Sequence, residues 1–260
     1  MTTLTNGLKG RLRESDPLYG LWLSLGSPSA AEALAHAGFD WLCIDTEHAP
    51  NDSLDVEQQL RAIAAAHLPT EAIVRVPDLH SDLVQRVLDA GARSLIFPAI
   101  ESADEARLAV RRTRYPAPDC PDGLRGVAGM VRASGYGARR DYVLDANAQI
   151  AVLVQIETAA GLAQVDAIAA TPGVDGLFVG PADLAASLGH LGDSRHPEVE
   201  AAFAAIAQAA QRAGIAAGIF AMDVTSARRF RELGYKVVAL AADVIWLVRA
   251  TRLALQEIRS

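Results

Sequence analysis

Eight short apolar runs alternate with longer, alanine-rich amphipathic segments along the whole 260-residue chain, and few folds accept that rhythm. The runs are Gly20–Leu25, Trp41–Asp45, Ala72–Val76, Ser94–Pro98, Ala151–Glu157, Gly176–Gly180, Ala216–Phe220 and Lys236–Leu240. Each is apolar almost throughout, as a parallel strand buried on both faces has to be. Eight such strands, each followed by a helix, give the count of a single closed (β/α)8 barrel. An open doubly wound sheet shares the periodicity. Its dinucleotide-binding version needs a Gly-x-Gly-x-x-Gly turn after the first strand, and none is there.

The helices are punctuated where this reading needs them to be. Ser81 precedes a helix over 82–90 that Gly91 stops, and Ser102-Ala103-Asp104-Glu105 forms a capping box for a helix ending by Pro116. Pro197 suits a first helical position, with Gly214 just past that helix's end; Gly38 and Gly234 close two more. Residues 113–147 break the rhythm with Pro116, Pro118, Pro121, five glycines and a run of arginines. They read as a long loop excursion within one 1–260 domain, and long ordered loops are often functional.

A net charge of −7 gives no basic footprint for nucleic acid. No apolar run reaches 18 residues and Met1–Ser15 has no apolar core, so the expectation is a cytoplasmic protein away from membranes. The two cysteines, Cys43 and Cys120, support neither a disulfide framework nor a structural zinc site. Cys43, inside Trp41-Leu42-Cys43-Ile44, reads as a core thiol.

In such a barrel the chemistry sits at the C-terminal ends of the strands. Polar residues there are Trp22 and Ser24 after the first strand, Asp45-Thr46-Glu47-His48 after the second, Arg75 on the third, Gln155 and Glu157 on the fifth, and Asp183 after the sixth. Glu157 and Asp183, from neighbouring strands, can converge on one cation. Two carboxylates without Cys or His suit a hard ion such as Mg²⁺ or Mn²⁺, with open positions for the carboxylate and keto oxygens of a 2-oxo acid. Solvated acids or salt bridges are the alternative. Asp45 could hold one imidazole nitrogen of His48 and leave the other as a base; a surface histidine beside a capping aspartate has the same spacing. An inward-facing Arg75 needs an anion, from Glu47, another acid or a substrate. The Gly180-Pro181-Ala182-Asp183 segment opens a helix whose free amides can hold a carboxylate. His36, His67, His80, His190 and His196 read as structural.

Taken as motifs, these residues resemble the HpcH/HpaI aldolase family of class II pyruvate aldolases. The similarity runs through Gly20-Leu21-Trp22-Leu23, then Ala37 to Asp52 with its Ile44-Asp45-Thr46-Glu47-His48-Ala49-Pro50-Asn51 core, then Val74-Arg75. It continues through Arg114-Tyr115-Pro116, Arg125-Gly126-Val127, Val154-Gln155-Ile156-Glu157-Thr158 and Gly173 to Leu184, which carries Gly180-Pro181-Ala182-Asp183. The resemblance implies Glu157 and Asp183 as metal ligands, with Mg²⁺ or Mn²⁺ first and Co²⁺ or Zn²⁺ also possible. It implies Arg75 on the pyruvate enolate, an Asp45–His48 acid–base dyad, Gln155 beside the metal, and the Ala182 and Asp183 amides on the pyruvate carboxylate. It also implies a hexamer, a dimer of trimers, in which Asp89 reaches a neighbour's site. Thr46 stands where the family usually has glycine, and Ala128 replaces a second glycine after Arg125-Gly126-Val127; both are expected on loops near the site, bearing on aldehyde preference.

The expected reaction is reversible aldol cleavage of a 4-hydroxy-2-oxo acid to pyruvate, or a close 2-oxo acid, and an aldehyde. A CoA-thioester lyase of the citramalyl or malyl type would share the two carboxylates. A non-catalytic metal- or sugar-acid-binding barrel would share the scaffold. Schiff-base chemistry is disfavoured, because Lys9 and Lys236 are the only lysines and neither ends a strand.

Overall fold

The computed structural model describes residues 5–118 and 120–260. Eight strands, β1 (Leu18–Leu23), β2 (Trp41–Asp45), β3 (Glu71–Arg75), β4 (Ser94–Phe97), β5 (Ala151–Ile156), β6 (Gly176–Val179), β7 (Ala216–Ala221) and β8 (Val237–Ala242), pair in parallel in sequence order. β8 pairs back onto β1, so the sheet closes as a (β/α)8 barrel. Closure leaves no edge strand to protect.

Two apolar layers hold it together. Leu18, Trp22, Trp41, Cys43, Ile73, Ile96, Leu153, Phe178 and Val237 fill the interior, while Leu8 and Leu12 of the N-terminal segment plug its floor. The larger layer lies between strands and helices, with residues such as Leu42, Ile44, Val74, Val154 and Ile219 facing outward. Each large side chain so buried contributes about 2 kcal/mol. Bulk in the interior is matched by its absence next door: a β-carbon on Gly20 would sit 2.1 Å from the Trp41 indole, so glycine is obligatory there.

Strand ends depart from the expected ones for local reasons. β1 starts at Leu18, whose amide donates to Lys236 O, and stops at Leu23 because the Ser24 and Leu25 amides leave the ladder for the Asp243 carboxylate (2.9 and 3.2 Å). β4 ends before Pro98, which has no N–H to give. The helix after it spans Ala103–Arg112, shorter than expected; Ser102 accepts from Glu105 N, but the Glu105 carboxylate returns to Glu101 N, not Ser102 N. Pro197 and Gly214 bound a helix over Pro197–Ala213 as expected.

The 113–147 excursion is packed around a buried guanidinium. Arg125 lies 4.2 Å from the Tyr115 ring and donates to Asp89 Oδ1 (2.9 Å) and Tyr142 Oη (3.0 Å). Among the described residues none of this excursion lines the barrel mouth, so Ala128 is not beside the chain's own site. Both lysines lie beneath the strands: Lys9 reaches Ile150 O and Lys236 reaches Arg11 O. Among the described residues no helix is long and apolar enough to cross a membrane.

Candidate active site

The mouth of the barrel opens on a cavity of about 640 Å³ whose wall includes Trp22, Asp45, His48, Arg75, Gln155, Gly180, Ala182 and Asp183. Strand register brings these together, since Asp45 pairs with Arg75 across β2–β3 and Gln155 with Phe178 across β5–β6.

Arg75 organises one half. Its Nε donates to Asp45 Oδ1 (2.9 Å) and Nη2 to Asp45 Oδ2 (2.7 Å), while Nη1 lies 2.7 Å from Glu47 Oε2. A fork-on-carboxylate pair of this kind fixes direction as well as charge. It also displaces the expected Asp45–His48 contact. Asp45 Oδ1 additionally accepts the Glu47 and His48 amides (3.0 and 3.4 Å), a turn that directs the His48 side chain to the rim. There the imidazole is two-thirds exposed, with Nε2 3.9 Å from Glu47 Oε1. Arg75, on another strand, takes both oxygens of Asp45, so the three-residue spacing to His48 does not decide the partner of Asp45. Thr46 uses both its amide and hydroxyl on Arg75 O (3.0 and 2.6 Å), so it fastens this turn to β3. Above the guanidinium, Trp22 stands with its ring 5.5 Å from Arg75 Cζ and packs on Phe178 and Phe220.

Glu157 organises the other half. Gln155 Nε2 donates to Glu157 Oε2 (2.7 Å) and the Ala99 amide to Oε1 (2.8 Å). Burial pushes this carboxyl up to about 7, and the nearby Glu47 and Asp183 charges act the same way. Glu47 is likewise pushed up, chiefly by burial, against the pull of Arg75. A β-carbon on Gly180 would lie 2.7 Å from Glu157 Oε2 and 3.2 Å from Asp183 Oδ2, so the carboxylate that follows β5 and the one that follows β6 converge on the space glycine leaves open. Gln155 Oε1 is buried beside them with no hydrogen-bond partner. Converging carboxylates, an orphaned amide oxygen and no thiol or imidazole at that point form an all-oxygen donor set that fits a hard divalent cation.

Asp183 belongs to the helix Pro181–Ser187, whose first internal bond is Leu184 N to Gly180 O (3.0 Å). The Ala182 and Asp183 amides therefore have no partner within the helix. Asp89 is elsewhere: it ends the helix Leu83–Asp89, is bound to Arg125, and does not line this cavity. Asp223, Arg195, Met222 and Ile245, which sequence reasoning did not single out, join the cavity wall from the later loops. Ala99 was also missed, since a left-handed alanine (φ 50°) supporting a carboxylate leaves no mark in the sequence.

A barrel whose mouth gathers Asp45, Glu47, Glu157 and Asp183 around the buried Arg75 guanidinium is that of an enzyme handling small, oxygen-rich substrates. The chain belongs to the HpcH/HpaI aldolase/citrate lyase family, whose model matches residues 18–250. It is 70% identical over the full length of both chains to a hydroxypyruvate/pyruvate aldolase of Paraburkholderia phytofirmans. It is 45% identical to a 4-hydroxy-2-oxo-heptane-1,7-dioate aldolase of Klebsiella pneumoniae, covering 95% of this chain and 91% of that one. Among solved structures, an HpcH/HpaI aldolase/citrate lyase family protein from Burkholderia cenocepacia superposes with a TM-score of 0.97 at 68% identity, over 98% of this chain and all of the other.

Proposed function

We propose that this chain cleaves 4-hydroxy-2-oxo acids reversibly into pyruvate, or a close 2-oxo acid such as hydroxypyruvate, and an aldehyde. Its activity is that of a carbon–carbon lyase of the pyruvate aldolase class, in keeping with its aldolase relatives. The observation that carries the detailed reading is the convergence of Glu157 and Asp183 at Gly180, in the cavity that Arg75 also lines.

A divalent cation held by Glu157 and Asp183, Mg²⁺ or Mn²⁺ by the hardness of the donors, supplies Lewis acidity to the 2-oxo group when bound. Gln155 holds Glu157 in place and offers its free oxygen to the same region. The Ala182 and Asp183 amides receive the substrate carboxylate. Arg75, positioned by Asp45 and Glu47, offers its charge to the oxygen that becomes the enolate. In cleavage the C4 hydroxyl loses its proton to His48, through water, as the C3–C4 bond breaks and its electron pair enters the enolate. C3 then takes that proton back from His48, through the same water, to give pyruvate and restore the imidazole. Asp45 serves this step through Arg75 rather than by touching the His48 imidazole. Trp22, Phe178 and Phe220 exclude water from one side.

Asp89 takes part only if a second copy of the chain brings its outer wall to this mouth. The helix Asp243–Arg259 supports assembly, because Val244, Leu247, Val248, Leu255 and Ile258 recur along it at helical spacing and are all exposed. A homo-oligomer, a hexamer built as a dimer of trimers, is the proposed state.

The test is release of pyruvate from a 4-hydroxy-2-oxo acid by chelator-stripped protein, with and without Mn²⁺ or Mg²⁺, and with borohydride as a Schiff-base probe. Activity restored by metal and untouched by borohydride is expected. Absence of turnover with every divalent metal, alongside cleavage of a CoA ester, would transfer the assignment to the thioester lyases.

A further inference from the structure

A second group of metal-ligating side chains lies outside the floor of the mouth. His190, His196 and Glu198 offer ligand atoms that all fall within 4.8 Å of one another. They span the connection between the helices Pro181–Ser187 and Pro197–Ala213. The two imidazoles are stacked, with centroids 3.5 Å apart and planes at 16°. His190 Nε2 lies 2.8 Å from Glu198 Oε2, and that hydrogen bond holds the carboxyl below the usual carboxylate range. His196 Nδ1 accepts the Glu198 amide (3.3 Å), which fixes the ring's orientation and leaves Nε2 without an assigned task. Nothing in the proposed aldol chemistry uses any of the three.

We propose that His190, His196 and Glu198 form a site for a borderline divalent cation, Zn²⁺ or Cu²⁺, separate from the all-oxygen site at Glu157 and Asp183. Two imidazoles and one carboxylate are a common donor set for such ions, and a tetrahedral ion would keep water as its fourth ligand. The hard ions that suit Glu157 and Asp183 are poor competitors at imidazole, so the two sites sort metals by donor chemistry. Stacked rings hold their lone pairs in nearly parallel planes, so binding requires the rings to tilt toward each other and the His190–Glu198 hydrogen bond to open. At zinc distances of about 2.0–2.1 Å to nitrogen, neighbouring ligand atoms stand about 3.3 Å apart. His190 Nε2 and Glu198 Oε2 already stand 2.8 Å apart and no pair of ligand atoms exceeds 4.8 Å, so movements of an ångström or two bring the three to that spacing. The His196 Nδ1 contact with the Glu198 amide already serves as the outer hydrogen bond that orients a ligating imidazole.

The position gives the site a consequence for the mouth. Ser194 and Arg195 lie within the same connection and line the cavity, so an ion bridging His190 to His196 closes a loop whose middle residues face the substrate.

The test uses the full-length, metal-stripped protein and Zn²⁺ alone, counted by calorimetric titration. Three proteins are compared: wild type, His190→Phe/His196→Asn, and Glu157→Gln/Asp183→Asn. Phenylalanine keeps an aromatic face and asparagine keeps a helix cap, so the first variant is expected to melt at the wild-type temperature without metal. Wild type and the Glu157→Gln/Asp183→Asn protein are each expected to retain a micromolar zinc equivalent that the histidine variant lacks. Cu²⁺ bound to the Glu157→Gln/Asp183→Asn protein is expected to show coupling to two imidazole nitrogens by electron paramagnetic resonance. Equal zinc uptake by wild type and the histidine variant would overturn the proposal, as would copper coupled to fewer than two nitrogens. The carboxylate variant separates this site from the aldolase reading, because its outcome does not depend on whether Glu157 and Asp183 bind metal.

Discussion

Two buried arginines in this molecule are treated in opposite ways. Arg75 faces the cavity and is over-supplied with anions, having both oxygens of Asp45 and one of Glu47 around it. Arg125 is completely enclosed in the 113–147 excursion, yet has one carboxylate, Asp89, and leaves its Nε and Nη1 unpartnered while tyrosine faces cover the rest. A buried charge needs neutralising, and Arg125 shows how little this fold uses for that purpose alone. The extra acids at the mouth therefore point to a second positive charge, which is the role assigned to the metal at Glu157 and Asp183.

That contrast can be broken by giving both residues the same treatment. Arg75→Met is expected to lower kcat by about a thousandfold, as loss of a principal oxyanion partner does. Steady-state pyruvate release reads it, and a loss below tenfold would remove Arg75 from the chemistry. Arg125→Ala is expected to act on stability instead, costing about 2–3 kcal/mol through lost packing on Tyr115 and Tyr142, while Arg125→Met recovers most of it because an apolar side chain leaves no unpaired donors. Denaturant titration distinguishes the two substitutions; equal losses would mean that the ion pair with Asp89, not the packing, holds the excursion.

Gly180→Ala sharpens the claim that two carboxylates converge. Its β-carbon would press on Glu157 Oε2 at 2.7 Å, and Mn²⁺ affinity is expected to fall about 10- to 100-fold with the fold intact. Unchanged affinity would show that Glu157 has room to move. The smallest effect on the site of a single chain is expected from Leu247→Glu/Leu255→Glu, on the exposed stripe of the last helix. Sedimentation is expected to show a smaller assembly than wild type; an unchanged mass would leave that stripe without a role in assembly.

Much of the architecture was legible because a strand buried on both faces has to be apolar along its length. The runs at 41–45 and 151–157 therefore announce themselves, as do the carboxylates that interrupt them at their ends. Asp243 was not legible for a related reason. β8 continues to Ala242, two residues beyond the expected Leu240, so the first polar residue after it fell outside the region taken as a strand end. Yet Asp243 is buried, and its carboxylate seals the β8–β1 seam by taking the Ser24 and Leu25 amides. The Asp45–His48 pairing shows the other limit. Spacing along one segment states which groups can meet, whereas the winning partner, Arg75, arrives from a different strand through register. Ala99 carries no signal at all, since its contribution is a backbone amide aimed by an unusual φ.

The most direct test of the account is Mn²⁺ binding followed by electron paramagnetic resonance, on wild type and on Glu157→Gln, with and without pyruvate. Wild type is expected to bind Mn²⁺ and to hold it more tightly when pyruvate is present, because each ligand completes the other's site. Glu157→Gln is expected to lose both the binding and the coupling to pyruvate. Equal Mn²⁺ binding by the two proteins, or a wild-type signal indifferent to pyruvate, would contradict the assignment of Glu157 and Asp183 as the metal site on which this chemistry rests.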